Sequence, residues 1–168
     1  MGLLAISMII IVAQPIRAAT GYLNWAAWNG VFECPRVRGD ENLAAEARAM
    51  FRMINRARVA YGLPQLAWDP ELNELAKAKS QDMVCYNYFG HLSERLGSVY
   101  DQLHDKGILY RVVGENLVGA PGYQRAQQSV MDSPAHRGNI LNADFNRIGI
   151  GVAVGGAYRK IFTQIFIN

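Results

Sequence analysis

Three residues in turn-like surroundings carry side chains able to do chemistry near neutral pH: His91 in "FGHLS", Glu115 in "GENL" and His136 in "SPAHRGNIL". Two imidazoles with a carboxylate or water can hold Zn²⁺ in a tetrahedral site. The carboxylate can instead act as a base on bound water, or fix the tautomer of either ring. Steps of 24 and 21 residues separate the three, so none shares a local helix with another and H-E-x-x-H spacing is absent. Spacing therefore leaves three roles open: ligand, general base, or a hydrogen-bonded bracket that holds the fold. His136 follows Ser133-Pro134 on the first turn of a short helix, where the positive dipole end disfavours a charged ring. The remaining histidine, His104 in "QLHDK", reads as a solvent-facing helix residue. No G-x-S-x-G elbow surrounds Ser93 or Ser133, which argues against a serine nucleophile.

The elements that must position these residues follow from periodicity. "DENLAAEARAMFRMINRARVAYGLP" predicts a helix capped by Asp40, with Leu43, Ala47, Met50, Ile54, Ala57 and Tyr61 along one apolar face. Gly62 ends it and Pro64 prevents its resumption. "WDPELNELAKAKSQDMVCY" predicts a second helix with Asp69 as cap and Pro70 at the first position, burying Leu72, Leu75, Ala76, Met83 and Tyr86. A third is expected from Ser93 to Gly107, weakened slightly by Gly97. After a β-like stretch near Val112 and Val113 and a short helix in "GYQRAQQSVMDS", the period drops to two. "FNRIGIGVAV" and "YRKIFTQIFIN", joined through "GGA", predict a hairpin in which Gly149 and Gly151 admit a close backbone. An antiparallel sheet with helices on both faces would bury every one of these stripes.

Length and composition set the bounds. The 168 residues suffice for one domain, and 51% hydrophobic against 18% charged residues suits a globular chain. The opening "MGLLAISMIIIVAQPIRAAT" reads as an export signal over residues 1–19. Its apolar run Leu3–Ala13 is shorter than the roughly 20 residues a bilayer span needs, Pro15 breaks it, and Ala18 or Ala19 offers a cleavage point. A stable membrane span is not expected once it is removed; the alternative reading is a short anchor that stays uncleaved. Residues 20–39 form an arm with no clear period. The net charge of +3 carries no basic cluster with interleaved aromatics, which excludes a nucleic-acid partner. The only two cysteines, Cys34 and Cys85, are expected to pair in an oxidising compartment, the alternative being two unrelated thiols. A bridge closing about 50 residues would add on the order of 4 kcal/mol.

Taken together, "FGH", "GEN", "SPAHRGNIL" and the closing "IGIGVAV…FTQIF" resemble the bacterial branch of the CAP superfamily, whose domain is also called SCP. The superfamily includes cysteine-rich secretory proteins, antigen 5 and pathogenesis-related proteins. The resemblance runs from "MINRARVAYGLP" to the C-terminus, and places a CAP/SCP domain at residues 40–168. It implies an α+β fold, a three-layer α-β-α sandwich around a central antiparallel sheet, in which His91, Glu115 and His136 converge in one cleft. Fuller family sites have a second Glu, three residues after a Trp; the matching positions here are Ser133 and Val130. The expected function is thus an exported domain whose His-Glu-His cleft binds a lipid, glycan, peptide or protein, with His91 and His136 as ligands of a weakly held Zn²⁺ or other divalent metal. No organic cofactor is expected. Two alternatives stand beside it. One is a metal-assisted extracellular hydrolase of peptide or cell-wall polymer, with Glu115 as catalytic base. The other is a non-catalytic structural or interaction module.

Overall fold

A computed structural model of the chain describes residues 42–168 in full and residues 5–10 as backbone. Among the described residues, five strands form one sheet in the order β1-β3-β5-β4-β2. The strands are β1 (Ala5–Ile10), β2 (Ala67–Trp68), β3 (Val113–Ala120), β4 (Arg147–Val154) and β5 (Lys160–Ile167). The helices are α1 (Leu43–Ala60), α2 (Pro70–Tyr86), α3 (Val99–Asp105), α4 (Tyr123–Asp132) and α5 (Pro134–Ile140). The sandwich expected from the sequence is present, with one correction: the sheet is mixed. Two-residue β2 runs parallel to β4, while β1, β3, β5 and β4 pair antiparallel. A parallel neighbour requires a crossover, and α1 lies too early in the chain to supply one; β2 reaches β4 through the long excursion over α2 to α5.

The predicted hairpin of β4 and β5 splits the core into two. On one face Ile148, Ile150, Val152, Phe162 and Phe166 pack with Met50 and Ile54 of α1, Val130 of α4 and Ile140 of α5. On the other, Ile165 and Ile167 pack with Leu72 and Leu75 of α2 and with Val99 and Leu103 of α3. The two glycines of β4 have a definite purpose. A Cβ on Gly149 would sit 2.1 Å from the Leu72 carbonyl carbon, and one on Gly151 would sit 2.1 Å from that of Ala76. The backbone of α2 thus lies directly on the sheet, closer than any side chain permits.

Local signals set the helix ends. Asp69 accepts hydrogen bonds from the Glu71 and Leu72 amides, and Pro70 opens α2. Gly62 turns the chain after α1 with φ +73°. The expected cap Asp40 lies outside the described residues; α1 begins after Asn42. Three expectations need correction. Tyr61 is 63% exposed, because α1 stops at Ala60 and Arg58 takes the inward position on the last turn. Tyr86 is 44% exposed, with the Arg95 guanidinium over its ring. The third helix does not start at Ser93. Gly97 has φ +68°, Ser93 and Gly97 close a turn between them, and α3 starts only after Ser98. Ser98 and Asp101 form a reciprocal capping box, a signal legible in "SVYD" that outweighs the longer apolar period.

Part of the apolar run assigned to the export signal, Ala5–Ile10, is strand β1 on the free side of β3. A short apolar run does not by itself distinguish a signal core from a buried strand. The arm at residues 20–39, with Cys34, lies outside the described residues.

The contact between α2 and β4 gives a direct test. Gly151→Ala forces the helix off the sheet, and should lower unfolding free energy by about 1–3 kcal/mol in urea titration. Gly156→Ala, in the open β4–β5 turn, should not force any helix from the sheet, although its φ of +68° makes some local strain expected.

Candidate functional site

Strand β3 carries two adjacent buried polar residues, Glu115 and Asn116, 2% and 0% exposed. Alternation sends them to opposite faces. Val113 and Leu117 share the α2 face with Glu115, whereas Val118 and Ala120 share the α1 face with Asn116.

On the α2 face, His91 Nδ1 lies 3.0 Å from Glu115 Oε2. A neutral ring that donates from Nδ1 to the carboxylate would keep its lone pair on Nε2. Both His91 Nε2 and Glu115 Oε1 are buried and, among the described residues, without a hydrogen-bond partner. A small cavity of about 10 Å³ opens beside the pair, lined also by Tyr100, Val99 and Val113. That is about the volume one water requires. Burial, helped by the nearby Tyr110 and Glu115, pushes the Tyr100 hydroxyl up to about 12, so it is a hydrogen-bond donor at neutral pH.

The loop bearing His91 is braced from α2. Lys79 is fully buried, and its ammonium donates to the His91 carbonyl and to the Tyr88 hydroxyl, both at 3.0 Å. Burial lowers the affinity of Lys79 for its proton, while Glu115 and then Asp82 oppose that shift. Asp82 accepts from the Tyr88 hydroxyl, from Ser93 Oγ at 2.7 Å and from Arg95 Nε at 2.9 Å. Ser93 Oγ in turn accepts the Arg95 and Leu96 amides. Burial above all, and then the bond to Asp82, raise the Tyr88 pKa well above its ordinary value. The loop from Tyr88 to Leu96 is therefore tied to one helix face by charge-assisted bonds.

On the α1 face, Asn116 Nδ2 donates to the His136 carbonyl at 3.1 Å and to Gln164 Oε1 at 2.9 Å. Asn139 Nδ2 donates to Asn116 Oδ1 at 2.8 Å and to the Glu115 carbonyl at 3.3 Å. His136 is 1% exposed on α5, with its Nδ1 2.6 Å from Ser133 Oγ. Ser133, where fuller sites would have the second Glu, still meets the histidine ring.

Of the three residues selected from the sequence, His91 and Glu115 meet side chain to side chain. His136 is tied to β3 through its carbonyl and Asn116, from the other face. Lys79, Asp82, Tyr100 and Asn139 were not selected from the sequence. Asn116 and Asn139 stood inside the quoted motifs "GEN" and "SPAHRGNIL", but a lysine and an aspartate at helix spacing carry no mark of burial. Among the described residues no group of three or more His, Cys, Asp or Glu side chains is arranged to hold a metal ion. His91 and His136, the two imidazoles selected as metal ligands, approach β3 from opposite faces.

A family model, CAP: cysteine-rich secretory protein family, matches residues 51–166. The chain belongs to this family. Uncharacterized protein YkwD of Bacillus subtilis (strain 168) is 39% identical over 130 residues, which span 76% of this chain and 49% of that one. An extracellular protein containing a SCP domain from Bacillus anthracis str. Ames has 35% identity and a TM-score of 0.67, covering 75% of this chain and 41% of that one. An outer surface protein from Borrelia burgdorferi shares the fold, with a TM-score of 0.72 at 17% identity, over 79% of this chain and 98% of that one. The chain thus spans about half, or less, of the length of the two Bacillus relatives. The CAP match contains His91, Glu115, His136 and the whole brace from Lys79 to Arg95.

The brace predicts a measurable coupling. Asp82→Ala strands Arg95 and the Tyr88 and Ser93 hydroxyls without their shared carboxylate, and should destabilise the domain by about 3 kcal/mol. It should also broaden or shift the His91 ring resonances in an NMR spectrum, whereas Asp144→Ala, on an exposed loop, should leave them unchanged.

Proposed function

We propose that this CAP-family domain is exported and that the His91–Glu115 pair binds a polar group of an extracytoplasmic ligand. The observation that carries the reading is the pair itself: a buried imidazole and carboxylate, fixed to each other, each with a further atom lacking a partner among the described residues, beside a cavity. Buried polar atoms are normally satisfied, so a site that leaves two of them open is suited to a water or ligand atom. Tyr100 would add a neutral donor. The ligand class is a lipid, glycan, peptide or protein outside the cytoplasm.

Export rests on the signal-like residues 1–19, and the likeness to an extracellular protein of Bacillus anthracis supports it. The destination is a periplasm, a wall or the medium. Among the described residues no helix is long and apolar enough to cross a membrane. An oxidising destination would allow the Cys34–Cys85 bridge, whose first member lies outside the described residues.

A divalent metal fits this site only weakly. His91 Nε2 is suited to ligation, with Glu115 orienting the ring in the manner of carboxylate–histidine–zinc sites. His136 reaches β3 from the other face, so His91 would be the one imidazole offered to an ion beside Glu115, and affinity would be low. The hydrolase alternative draws on the water-sized cavity beside Glu115: a water there would be within reach of a base. The third reading, a purely structural bracket, is favoured by nothing specific at His91, whose Nε2 a bracket would not need to leave open.

Titration of the His91 ring resonance with a soluble wall fragment, a short peptide and a short-chain lipid separates these readings. The binding reading expects a saturable shift with at least one probe, weakened at least tenfold by Glu115→Gln. Loss of stability in Glu115→Gln, with no shift from any probe, would leave only the bracket. Turnover of labelled peptide or wall polymer that vanishes in Glu115→Gln would establish the hydrolase. For the metal, millimolar Zn²⁺ should raise the melting temperature by a few degrees, and His91→Ala should abolish the rise; an unchanged wild-type temperature removes the metal. The bridge predicts a loss of about 4 kcal/mol on reduction of the exported protein.

A further inference from the structure

The outer edge of β3 is filled by a strand from outside the family domain. The CAP match begins at residue 51, so β1, at Ala5–Ile10, is no part of it, and within residues 51–166 β3 is the last strand of its sheet. The backbone of Ala5–Ile10 adds to that edge antiparallel over six residue pairs, from Ala5 opposite Val118 to Ile10 opposite Val113, with Met8 opposite Glu115. Helix α5, which carries His136, packs along the same strand. An edge with no strand beside it presents a row of unpaired amides and carbonyls, and extended peptides bind such edges by strand addition.

The segment now seated there, "AISMII", lies within residues 1–19, the part that export is proposed to remove. We infer that the β3 edge from Val113 to Val118 is a docking site for an extended apolar peptide segment, which in the mature protein replaces Ala5–Ile10. The occupant is a peptide because the contact already present is a continuous backbone ladder. It is apolar because the occupying residues are Ala, Ile, Ser, Met, Ile and Ile. This site is separate from the one assigned to His91 and Glu115: it uses the backbone of β3 and not the open atoms of that pair. The inference does rest on removal of residues 1–19.

The test uses the protein recovered after export. N-terminal sequencing should place its first residue beyond Ile10, and a start that retains Ala5–Ile10 overturns the inference, since β1 would then be a permanent strand. The probe is the peptide AISMII with two lysines added at each end for solubility. It should bind saturably and slow hydrogen exchange of alternate β3 amides between Val113 and Val118 at least tenfold. The same peptide N-methylated at alternate residues on its pairing edge should bind at least tenfold more weakly. Equal binding of the two peptides, or binding without protection of β3, overturns strand addition. Glu115→Gln should retain the probe, so failure of the His91–Glu115 reading and failure of this one give different results.

Discussion

Burying two consecutive polar side chains in a central strand is the constraint on which the rest of this domain depends. Each unsatisfied group would cost about 1–3 kcal/mol. Because Glu115 and Asn116 point to opposite faces, neither layer alone can supply both sets of partners. The α2 face answers with His91, on a loop held by Lys79. The α1 face answers with Asn139, Gln164 and the His136 carbonyl. Satisfying the pair thus fixes α5 and the His91 loop relative to β3 at the same time. Apolar packing is tolerant of small slides, whereas hydrogen bonds from opposite sides of one strand are not.

Two buried cations show how the layers are closed around that strand. Arg58 is fully buried without a carboxylate partner among the described residues; its guanidinium instead donates to the carbonyls of Pro64, Ile140, Asn142 and Phe145. A planar fork can satisfy several carbonyls at once, so one side chain ties the end of α1 to the turn after α5. Lys79 cannot fork in this way. It holds one carbonyl and one hydroxyl, with Asp82 close enough to compensate its charge through Tyr88. Burial weakens proton affinity at both positions, which is the expected sign for cations removed from water. The contrast has a functional side. Arg58 acts on the frame, while Lys79 acts on the carbonyl of the histidine that faces the cavity.

The site that the CAP resemblance implies would be a reduced one in this chain. Ser133 takes the place where fuller members would have a second carboxylate, and its hydroxyl meets His136 Nδ1. A hydroxyl can orient the ring but supplies no charge for a metal or for proton transfer. What the sequence keeps at full strength is the carboxylate–imidazole pair on the other face. A site of this kind suits recognition of one polar group better than chemistry that needs two carboxylates.

The sequence alone determined the family, the hairpin of β4 and β5 and the start of α2 at Asp69 and Pro70, and it singled out His91, Glu115 and His136 as candidates. These are local or ordered patterns, and local patterns survive being read along one dimension. The tertiary structure decided which of the three residues touch, and it decided this through strand parity. His91 and Glu115 share a face, and His136 reaches β3 from the other. It also decided that Lys79 and Asp82 on α2, which look like ordinary surface charges in "LAKAKSQDMV", are buried braces. Burial depends on what packs opposite a residue, and here the opposite partners lie between nine and thirteen positions along the chain, across a turn whose geometry no periodicity records.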